Sequence, residues 1–469
     1  MKDTKLIQLL QTLDGKQRRA FGDFVQSPFF NKQEELIHFY HYLKKIAAKG
    51  FPEKDLDRYY CYQLLFPEKA YDEKHLNYLN SQLLKLAERY ISINGFENAL
   101  ILPAYFQLQY CIDHRLEKHY QYIMNQSQKQ LEAYQGDTEQ LLYQKYLLAN
   151  LREKHFSSQK QRRYDKGLQE AADYFDQYYL FKKLYHLCAM LDRQKVVTPA
   201  YEIHFMEEIQ SILRSQLLKS PPIETLEQLL LSLTAEQSAV HFSKLRDSLR
   251  QYSRYFSHDM LRDLYFSSIN FCIRKIRFGE KEYAEELMSI YQEGIQNGVL
   301  FEDGYLSPWT FKNLVKLSIG LKEFEWAESF IADYSPKLPP HMQKDALHFN
   351  LANLYYERKD YPKAQTHLRQ VEFSDVQYSI GAKLTLIRIY YETQQTEALN
   401  SLLSAFNIFL KRKKLMTKEV KMPFMNFIHF VYRLQKVEKG QLSKLESEIK
   451  QTEMLTARSW LLEQLRNLR

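Results

Sequence analysis

One short segment constrains the fold of this chain more than any other: residues 345–376, DALHFNLANLYYERKDYPKAQTHLRQVEFSDV. Its large and small residues recur at helical spacing on either side of a turn at 358–360. Pro362 follows the turn, where a second helix can begin and the missing N–H of proline costs nothing. The small residues Ala352 and Ala364 would let two helices approach closely. The segment therefore predicts a helical hairpin.

Related segments flank this hairpin. Ala364 has counterparts at Ala284, Ala327 and Ala398, which are separated by steps of 43, 37 and 34 residues. Two helices cannot bury their apolar faces alone, so neighbouring hairpins are expected to stack on one another. The longest step contains a stretch with two glycines and a proline, residues 298–308, and this indicates a long connection.

The pattern of these segments resembles the tetratricopeptide repeat, whose usual length is about 34 residues. The resemblance covers roughly residues 265–410. It implies a right-handed α-solenoid of stacked helical hairpins, whose usual work is to bind another protein. Around these repeats we predict three further parts: an N-terminal helical unit (1–95), diverged helical hairpins (96–264) and a C-terminal helical cap (411–469).

Composition favours helix over the whole length of the chain. Only 13 Gly and 13 Pro occur among 469 residues, and no stretch shows the sustained alternation of a half-buried strand. We therefore predict an all-α protein. The four cysteines lie far apart, which is typical of a reducing compartment. Because no signal peptide and no run of ~20 apolar residues is visible, we expect a cytoplasmic protein without a membrane span.

The resemblance also implies a binding groove on the first helix of each repeat. The groove residues that it implies are Lys312, Asn313, Lys316, Phe349, Asn350, Asn353, Tyr356 and Lys383. Two of them, Lys312 and Asn350, match positions of the clamp that some family members use for a terminal carboxylate. Lys316 stands where that clamp has asparagine, and Ile380 and Leu384 replace its last two cations. We therefore expect a groove for a protein or peptide partner, with amides that bond a peptide backbone.

Catalytic motifs are missing from the sequence. It contains no phosphate-binding loop, no dinucleotide fingerprint, no HExxH and no GxSxG. The fourteen histidines are scattered, and no set of Cys, His and carboxylate residues has the spacing of a metal site. We predict a scaffold or adaptor rather than an enzyme, with no cofactor and no metal.

Clusters of basic residues leave a second function open. The chain carries a formal charge of +8, and its cations gather in three places. The alternative is a helical regulator that contacts nucleic acid with these clusters, which would form a phosphate-binding stripe if they lay along one face. The competing explanation is that cations collect at the carboxyl ends of helices. The residues concerned are Lys160, Arg162, Arg163, Arg274, Lys411, Arg412, Lys413 and Lys414.

Overall fold

The computed structural model describes residues 1–160, 163–195, 201–371, 376–412 and 418–468. Within these ranges the chain forms 23 α-helices, so the prediction of an all-α protein is confirmed. The described strands are two short segments, Phe301–Glu302 and Tyr305–Leu306, which pair as an antiparallel ribbon. The ribbon turns through Asp303 and Gly304, at φ 50° and 80°. An Asp-Gly pair is typical of such turns, but strands this short show no alternating pattern in the sequence.

The chain divides into two compact bodies. The first body comprises Met1–His186, Ile203–Glu227 and Tyr252–Ser257. It includes 3₁₀ helices at Glu53–Leu56 and Ser253–Tyr255. The helices that lie wholly or partly in it are α1 (Lys5–Thr12), α2 (Gly15–Gln26), α3 (Glu34–Ala47), α4 (Arg58–Leu65), α5 (Glu73–Glu97), α6 (Leu102–Asp113), α7 (Glu117–Ala133), α8 (Thr138–Ser158), α9 (Lys166–Gln194), α10 (Met206–Ser215), α11 (Pro221–Thr234) and α12 (Ser238–Tyr252).

The second body comprises Leu187–Glu202, Gln228–Gln251 and His258–Arg469. It contains the remaining parts of α9, α11 and α12, and 3₁₀ helices at Ser335–Lys337, Pro340–Met342 and Lys439–Gln441. Its other helices are α13 (His258–Arg277), α14 (Tyr283–Gln296), α15 (Pro308–Gly320), α16 (Phe324–Tyr334), α17 (Gln343–Glu357), α18 (Tyr361–Leu368), α19 (Val376–Glu392), α20 (Thr396–Arg412), α21 (Lys418–Leu434), α22 (Leu442–Gln451) and α23 (Arg458–Asn467).

The amino-terminal part of the first body packs around α5. The side chain of Asp72 caps this helix by accepting a 3.1 Å hydrogen bond from the backbone N–H of His75. Leu76, Leu79 and Leu83 follow at steps of three and four residues, and all three are buried. Helices α1, α2 and α3 each contact α5. This stripe is therefore the amphipathic face that holds the four helices in one core.

In the second body, consecutive helices pair as hairpins: α13 with α14, α15 with α16, α17 with α18, and α19 with α20. Residues 345–368 lie in the hairpin of α17 and α18, and Pro362 lies in the first turn of α18. Ala352 and Ala364 are fully buried. The first helices also contact one another, because α15 packs on α17 and α17 packs on α19.

The four hairpins turn in the same way. One residue with positive φ follows the first helix of each hairpin: Gly279 (98°), Lys322 (63°), Lys359 (63°) and Gln394 (57°). The N–H of the next residue bonds the carbonyl five residues before it, at 2.8 to 3.1 Å. This arrangement is the Schellman motif, which satisfies the last carbonyls of a helix. Its recurrence after 43, 37 and 35 residues follows the steps between the alanines.

The carboxyl-terminal helices share one core with the last hairpin. Helix α21 contacts α20 and α23, and α23 contacts α22. The core includes Phe406, Phe427 and Trp460, whose side chains are at least nine-tenths buried. The backbone N–H of Thr456 bonds the carbonyl of Pro423 at 3.3 Å, which ties the loop before α23 to α21. Of the helices in the described ranges, none has the length and apolarity to cross a membrane.

Candidate functional site

A cleft of about 370 Å³ runs across the first helices of three consecutive hairpins in the second body. The lining residues recur at steps of three and four along each helix, so each helix contributes one face. They are Lys312, Val315, Lys316 and Ile319 of α15; Phe349, Asn350, Asn353, Tyr356 and Glu357 of α17; Gly381, Leu384, Thr385 and Arg388 of α19; and Thr456 from the loop before α23.

Close approach of α17 and α19 forms the floor of this cleft. Phe349 of α17 is 5% exposed and packs against Gly381 of α19. A Cβ atom added to Gly381 would lie 2.6 Å from two carbons of the Phe349 ring, which is well inside the van der Waals limit. Glycine at this position therefore leaves room for the phenyl ring between the two helices.

Six of the eight groove residues predicted from the sequence lie in this cleft: Lys312, Lys316, Phe349, Asn350, Asn353 and Tyr356. The other two lie elsewhere. Asn313, one residue past Lys312 and so on another side of α15, does not line the cleft. Lys383 packs its ammonium 4.8 Å from the ring of Phe409 and donates to Ser379 Oγ at 3.2 Å. Lys383 therefore does not line this cleft, because its side chain packs on the second helix of its own hairpin.

The two amides of the cleft differ in what they can bind. Asn350 is 2% exposed and donates a 2.7 Å hydrogen bond to the carbonyl of Ala346, so its side chain serves its own helix. Asn353 is half-buried, and its Oδ1 accepts a 3.0 Å hydrogen bond from Thr385 Oγ1. This bond fixes the amide plane and leaves the nitrogen of Asn353 as a donor to a chain in the cleft.

Three cations line the cleft. The ammonium of Lys312 lies 5.7 Å from the ring centroids of both Trp309 and Phe349, so two aromatic faces position it. Lys316 is exposed one turn further along α15. The third cation, Arg388, lies one turn beyond Leu384 on α19.

The sequence interpretation missed Arg388, because the resemblance directed attention to positions 380 and 384, where the family clamp has its cations. Its spacing of four from Leu384 was the available signal. The Nε atom of Arg388 is buried, and no described residue offers it a hydrogen-bond partner. Against the three cations the cleft has one carboxylate among the described residues, that of Glu357. The cleft therefore favours an acidic ligand.

Behind the cleft, a buried carboxylate joins four residues. Glu392, whose side chain is 8% exposed, ends α19. Its two oxygens accept hydrogen bonds from Tyr356 Oη (2.5 Å), Trp460 Nε1 (2.6 Å), Tyr361 Oη (2.5 Å) and Lys359 Nζ (2.9 Å). The network connects the four helices α17, α18, α19 and α23 and one turn, and Tyr356 is the member that lines the cleft.

Burial alone would raise the pKa of Glu392, but these hydrogen bonds hold that pKa below its usual range. Burial raises the pKa of Tyr356 well above its usual range, and the bond to Glu392 raises it further. The carboxylate therefore stays ionised and the phenol neutral at neutral pH. Such a network is suited to holding the cleft in one shape rather than to proton transfer.

The residues of the alternative nucleic-acid surface fall in both bodies. In the first body, Lys160 lies exposed in the turn after α8, and the guanidinium of Arg163 lies 5.4 Å from the ring of Phe156. In the second body, Arg274 bonds Asp192 at 2.7 Å. Lys411 and Arg412 occupy the last turn of α20, where the helix dipole favours cations. Arg162, Lys413 and Lys414 lie outside the described residues.

Within the described ranges, no three His, Cys, Asp or Glu side chains come together in a way that would hold a metal ion. Burial raises the pKa of the thiols of Cys61 and Cys272 to about 12, so these two cysteines are protonated at neutral pH.

In comparisons with known proteins, the chain matches no protein-family model, no curated protein and no solved structure.

Proposed function

We propose that this chain is a non-enzymatic scaffold or adaptor that holds a segment of a partner protein in the cleft of α15, α17 and α19. The proposal includes a tetratricopeptide-like architecture, a right-handed α-solenoid of stacked hairpins, and a cytoplasmic location. One observation carries this proposal. Six side chains selected from sequence alone lie in one cleft, on the first helices of three consecutive hairpins.

Two features of the second body support a repeat architecture. The four hairpins share one turn geometry at steps of 43, 37 and 35 residues, and among their first helices α15 packs on α17, which packs on α19. A chain in which each hairpin contacts its neighbours is stabilised by nearest-neighbour interfaces. Proteins of this kind commonly use the surface of their first helices for binding.

The chemistry of the cleft indicates the kind of segment that it binds. Lys312, Lys316 and Arg388 attract carboxylates, and the amide nitrogen of Asn353 can donate to a peptide carbonyl. Apolar side chains of all three helices lie between these polar groups and can accept an aliphatic or aromatic side chain. We infer an extended peptide in which acidic residues flank an apolar one.

Selection from a random peptide library with the purified full-length chain tests this inference. Enriched sequences should combine Asp or Glu with an apolar residue. Lys316→Glu should weaken the binding of an enriched peptide by about tenfold or more, because it replaces a charge-assisted contact with repulsion. The matched control is Lys322→Glu, since Lys322 is exposed on the turn after α15 and does not line the cleft. An equal loss in both variants, or enrichment of basic peptides, would overturn the proposal.

The alternative, contact with nucleic acid, predicts a different result in the same assay. The chain would bind a short single-stranded oligonucleotide more tightly than any enriched peptide, and added salt would weaken the binding of the oligonucleotide steeply. We rank this function second, because the described cations of α20 lie where the helix dipole already accounts for them.

A further inference from the structure

A second and larger cavity of the second body has a chemistry that the peptide cleft does not share. It measures about 650 Å³ and lies where α13 ends, α11 ends and α12 begins. Its walls carry four cations, Lys195, Arg274, Lys275 and Arg277, and a carboxylate, Glu280. This volume is in the range of small-molecule sites.

Arg274 is held rigidly at this cavity. Its Nη1 donates to Asp192 Oδ1 at 2.7 Å, and the other oxygen of Asp192 accepts from Asn270 Nδ2 at 2.8 Å. The Nη2 atom of Arg274 is buried and has no hydrogen-bond partner among the described residues. A buried guanidinium nitrogen without an acceptor is costly, so an acceptor in the cavity would complete this group.

The other charges leave the cavity cationic. Lys275 donates to both oxygens of Glu280, at 3.0 and 3.2 Å, and Arg274 is paired with Asp192, so these two cations are compensated. Lys195 donates to the carbonyl of Leu233 at 2.9 Å, and Arg277 is exposed. Two positive charges therefore remain uncompensated by the acidic groups of the cavity wall.

Arg274, Lys275 and Arg277 lie in the last turn of α13, where the helix dipole favours cations as it does in α20, but hydrogen bonding at this helix end does not require them. The carbonyls of Arg274, Lys275 and Ile276 at the end of α13 already accept backbone hydrogen bonds, at 3.0 to 3.1 Å, from Phe278, Gly279 and Glu280. The cationic side chains are thus not needed to satisfy the end of this helix. Ser238, the first residue of α12, also lines the cavity and places the positive end of that helix dipole there.

One aromatic residue adds a flat surface at the cavity. Phe278 lines the cavity yet is 85% exposed, whereas Phe271 in the same wall is buried. An exposed phenyl ring beside cations is a surface on which a planar group can stack.

We propose that this cavity binds a small phosphate monoester with a planar organic part, as in a nucleoside monophosphate. The phosphate bonds Arg274 Nη2, Lys195 and Arg277, and the planar group stacks on Phe278. A phosphate monoester carries about −1.5 to −2 charges at pH 7, which matches the two uncompensated cations. The site is separate from the peptide cleft in its lining residues and in its test.

Isothermal titration of the full-length chain with AMP, inorganic phosphate and adenosine tests the proposal. AMP should bind at one site, phosphate more weakly, and adenosine more weakly than AMP by at least about tenfold, because it lacks the charge-assisted contacts. Arg277→Gln should weaken AMP binding by about tenfold. Arg274→Lys keeps the charge but removes the guanidinium fork, and we expect a loss at least as large.

Two controls separate this site from other effects. Lys281→Gln removes an exposed cation close in sequence that does not line the cavity, and Lys316→Gln removes a cation of the peptide cleft. Both variants should bind AMP as the parent chain does. Circular dichroism melting of each variant shows whether it is folded. If Arg274→Lys does not fold, the binding of AMP by Arg277→Gln alone tests the site.

Three results would overturn the proposal. The first is no binding of AMP at millimolar concentration. The second is binding that Arg277→Gln leaves unchanged or that Lys281→Gln weakens equally. The third is tighter binding of a thymidine oligonucleotide than of AMP, by at least about tenfold, with an affinity that falls steeply with salt. The cations would then belong to a nucleic-acid surface.

Discussion

Removal of the Glu392 carboxylate should strongly destabilise the second body. The side chain is 8% exposed and accepts hydrogen bonds from Tyr356, Tyr361, Trp460 and Lys359. Trp460 belongs to α23, whereas the other three donors belong to the hairpin of α17 and α18 or to its turn. The substitution Glu392→Ala therefore breaks the polar connection between that hairpin, α19 and the carboxyl-terminal helices.

The expected loss of unfolding free energy depends on which hydrogen-bond donors water can reach after the carboxylate is removed. Lys359 is 59% exposed, so water can replace its partner and its share of the loss is small. Tyr356 and Trp460 are 5% and 7% exposed, and each leaves a buried donor unsatisfied at a cost of about 1 to 3 kcal/mol. With the cavity that truncation creates, we expect Glu392→Ala to lower the free energy of unfolding by about 3 to 5 kcal/mol. Glu392→Gln, which keeps the shape and one acceptor, should cost about 2 kcal/mol.

Urea denaturation followed by tryptophan fluorescence measures this loss in the right part of the chain. All three tryptophans, at positions 309, 326 and 460, lie in the second body. Glu325→Ala is the matched control, because the side chain of Glu325 is 91% exposed although it lies 3.2 Å from Arg358. This control should change the unfolding free energy by less than about 0.5 kcal/mol. A loss in Glu392→Ala no larger than in Glu325→Ala would show that the hydrogen bonds of Glu392 do not stabilise the second body.

The pH dependence of the same difference gives a second check. The pKa of Glu392 is lowered in the folded chain, while an unfolded glutamate titrates near pH ~4.3. The stability that this group contributes is therefore present above that value and is lost as pH falls through the folded pKa. The gap between the parent chain and Glu392→Ala should be constant near neutral pH and should narrow in acid.

Three further predictions concern single positions of the second body. Gly381→Ala places its Cβ 2.6 Å from an aromatic ring of α17, so it should lower the free energy of unfolding in urea by about 1 to 3 kcal/mol. It should also weaken the binding of the selected peptide. Unchanged binding would count against the cleft as the peptide site. Gly279→Ala puts a side chain at φ 98° and should lower the free energy of unfolding by about 1 to 2 kcal/mol. Gly320→Ala changes a helical position with no atom within 4 Å of the new Cβ and should raise the free energy of unfolding by up to about 0.5 kcal/mol. Equal effects would show that the positive φ at Gly279 does not require glycine. Burial lowers the pKa values of His348 and His367, whose Nδ1 atoms lie 3.0 Å apart. Below the unfolded histidine pKa of about 6.5 the unfolded chain therefore binds more protons than the folded chain, and stability should fall between pH 7 and pH 5. His367→Gln should flatten this dependence, and a slope that persists in this variant would exclude the histidine pair as its source.

Local features of the sequence predicted the hairpins well. The pairing of Ala352 with Ala364 and the position of Pro362 depend only on helical spacing and on proline geometry, so the segment at 345–376 could be interpreted on its own. The repeat resemblance implied one groove for Lys312, Lys316, Phe349 and Asn353, and these four side chains line one cleft because each helix presents one face to it.

Features that depend on contacts distant in sequence could not be predicted in this way. The bond between Trp460 and Glu392 joins residues 68 positions apart, and no local pattern marks either of them. Arg388 was overlooked because comparison with the family clamp gave weight to other positions. Asn350 fits a groove position by spacing, but its hydrogen bond to Ala346 shows that a polar residue on the right face can serve its own helix.

Photo-crosslinking can show whether an acidic, extended peptide lies across α15, α17 and α19. A peptide from the library selection, with a photoreactive group beside its apolar residue, would be irradiated with the full-length chain, and the labelled residues would be identified by mass spectrometry. Labels are expected within 312–319, 349–357 and 381–388, with a marked loss of labelling in Lys316→Glu and none in Lys322→Glu. Labels concentrated in the first body, or an equal yield in Lys316→Glu, would contradict this placement of the peptide.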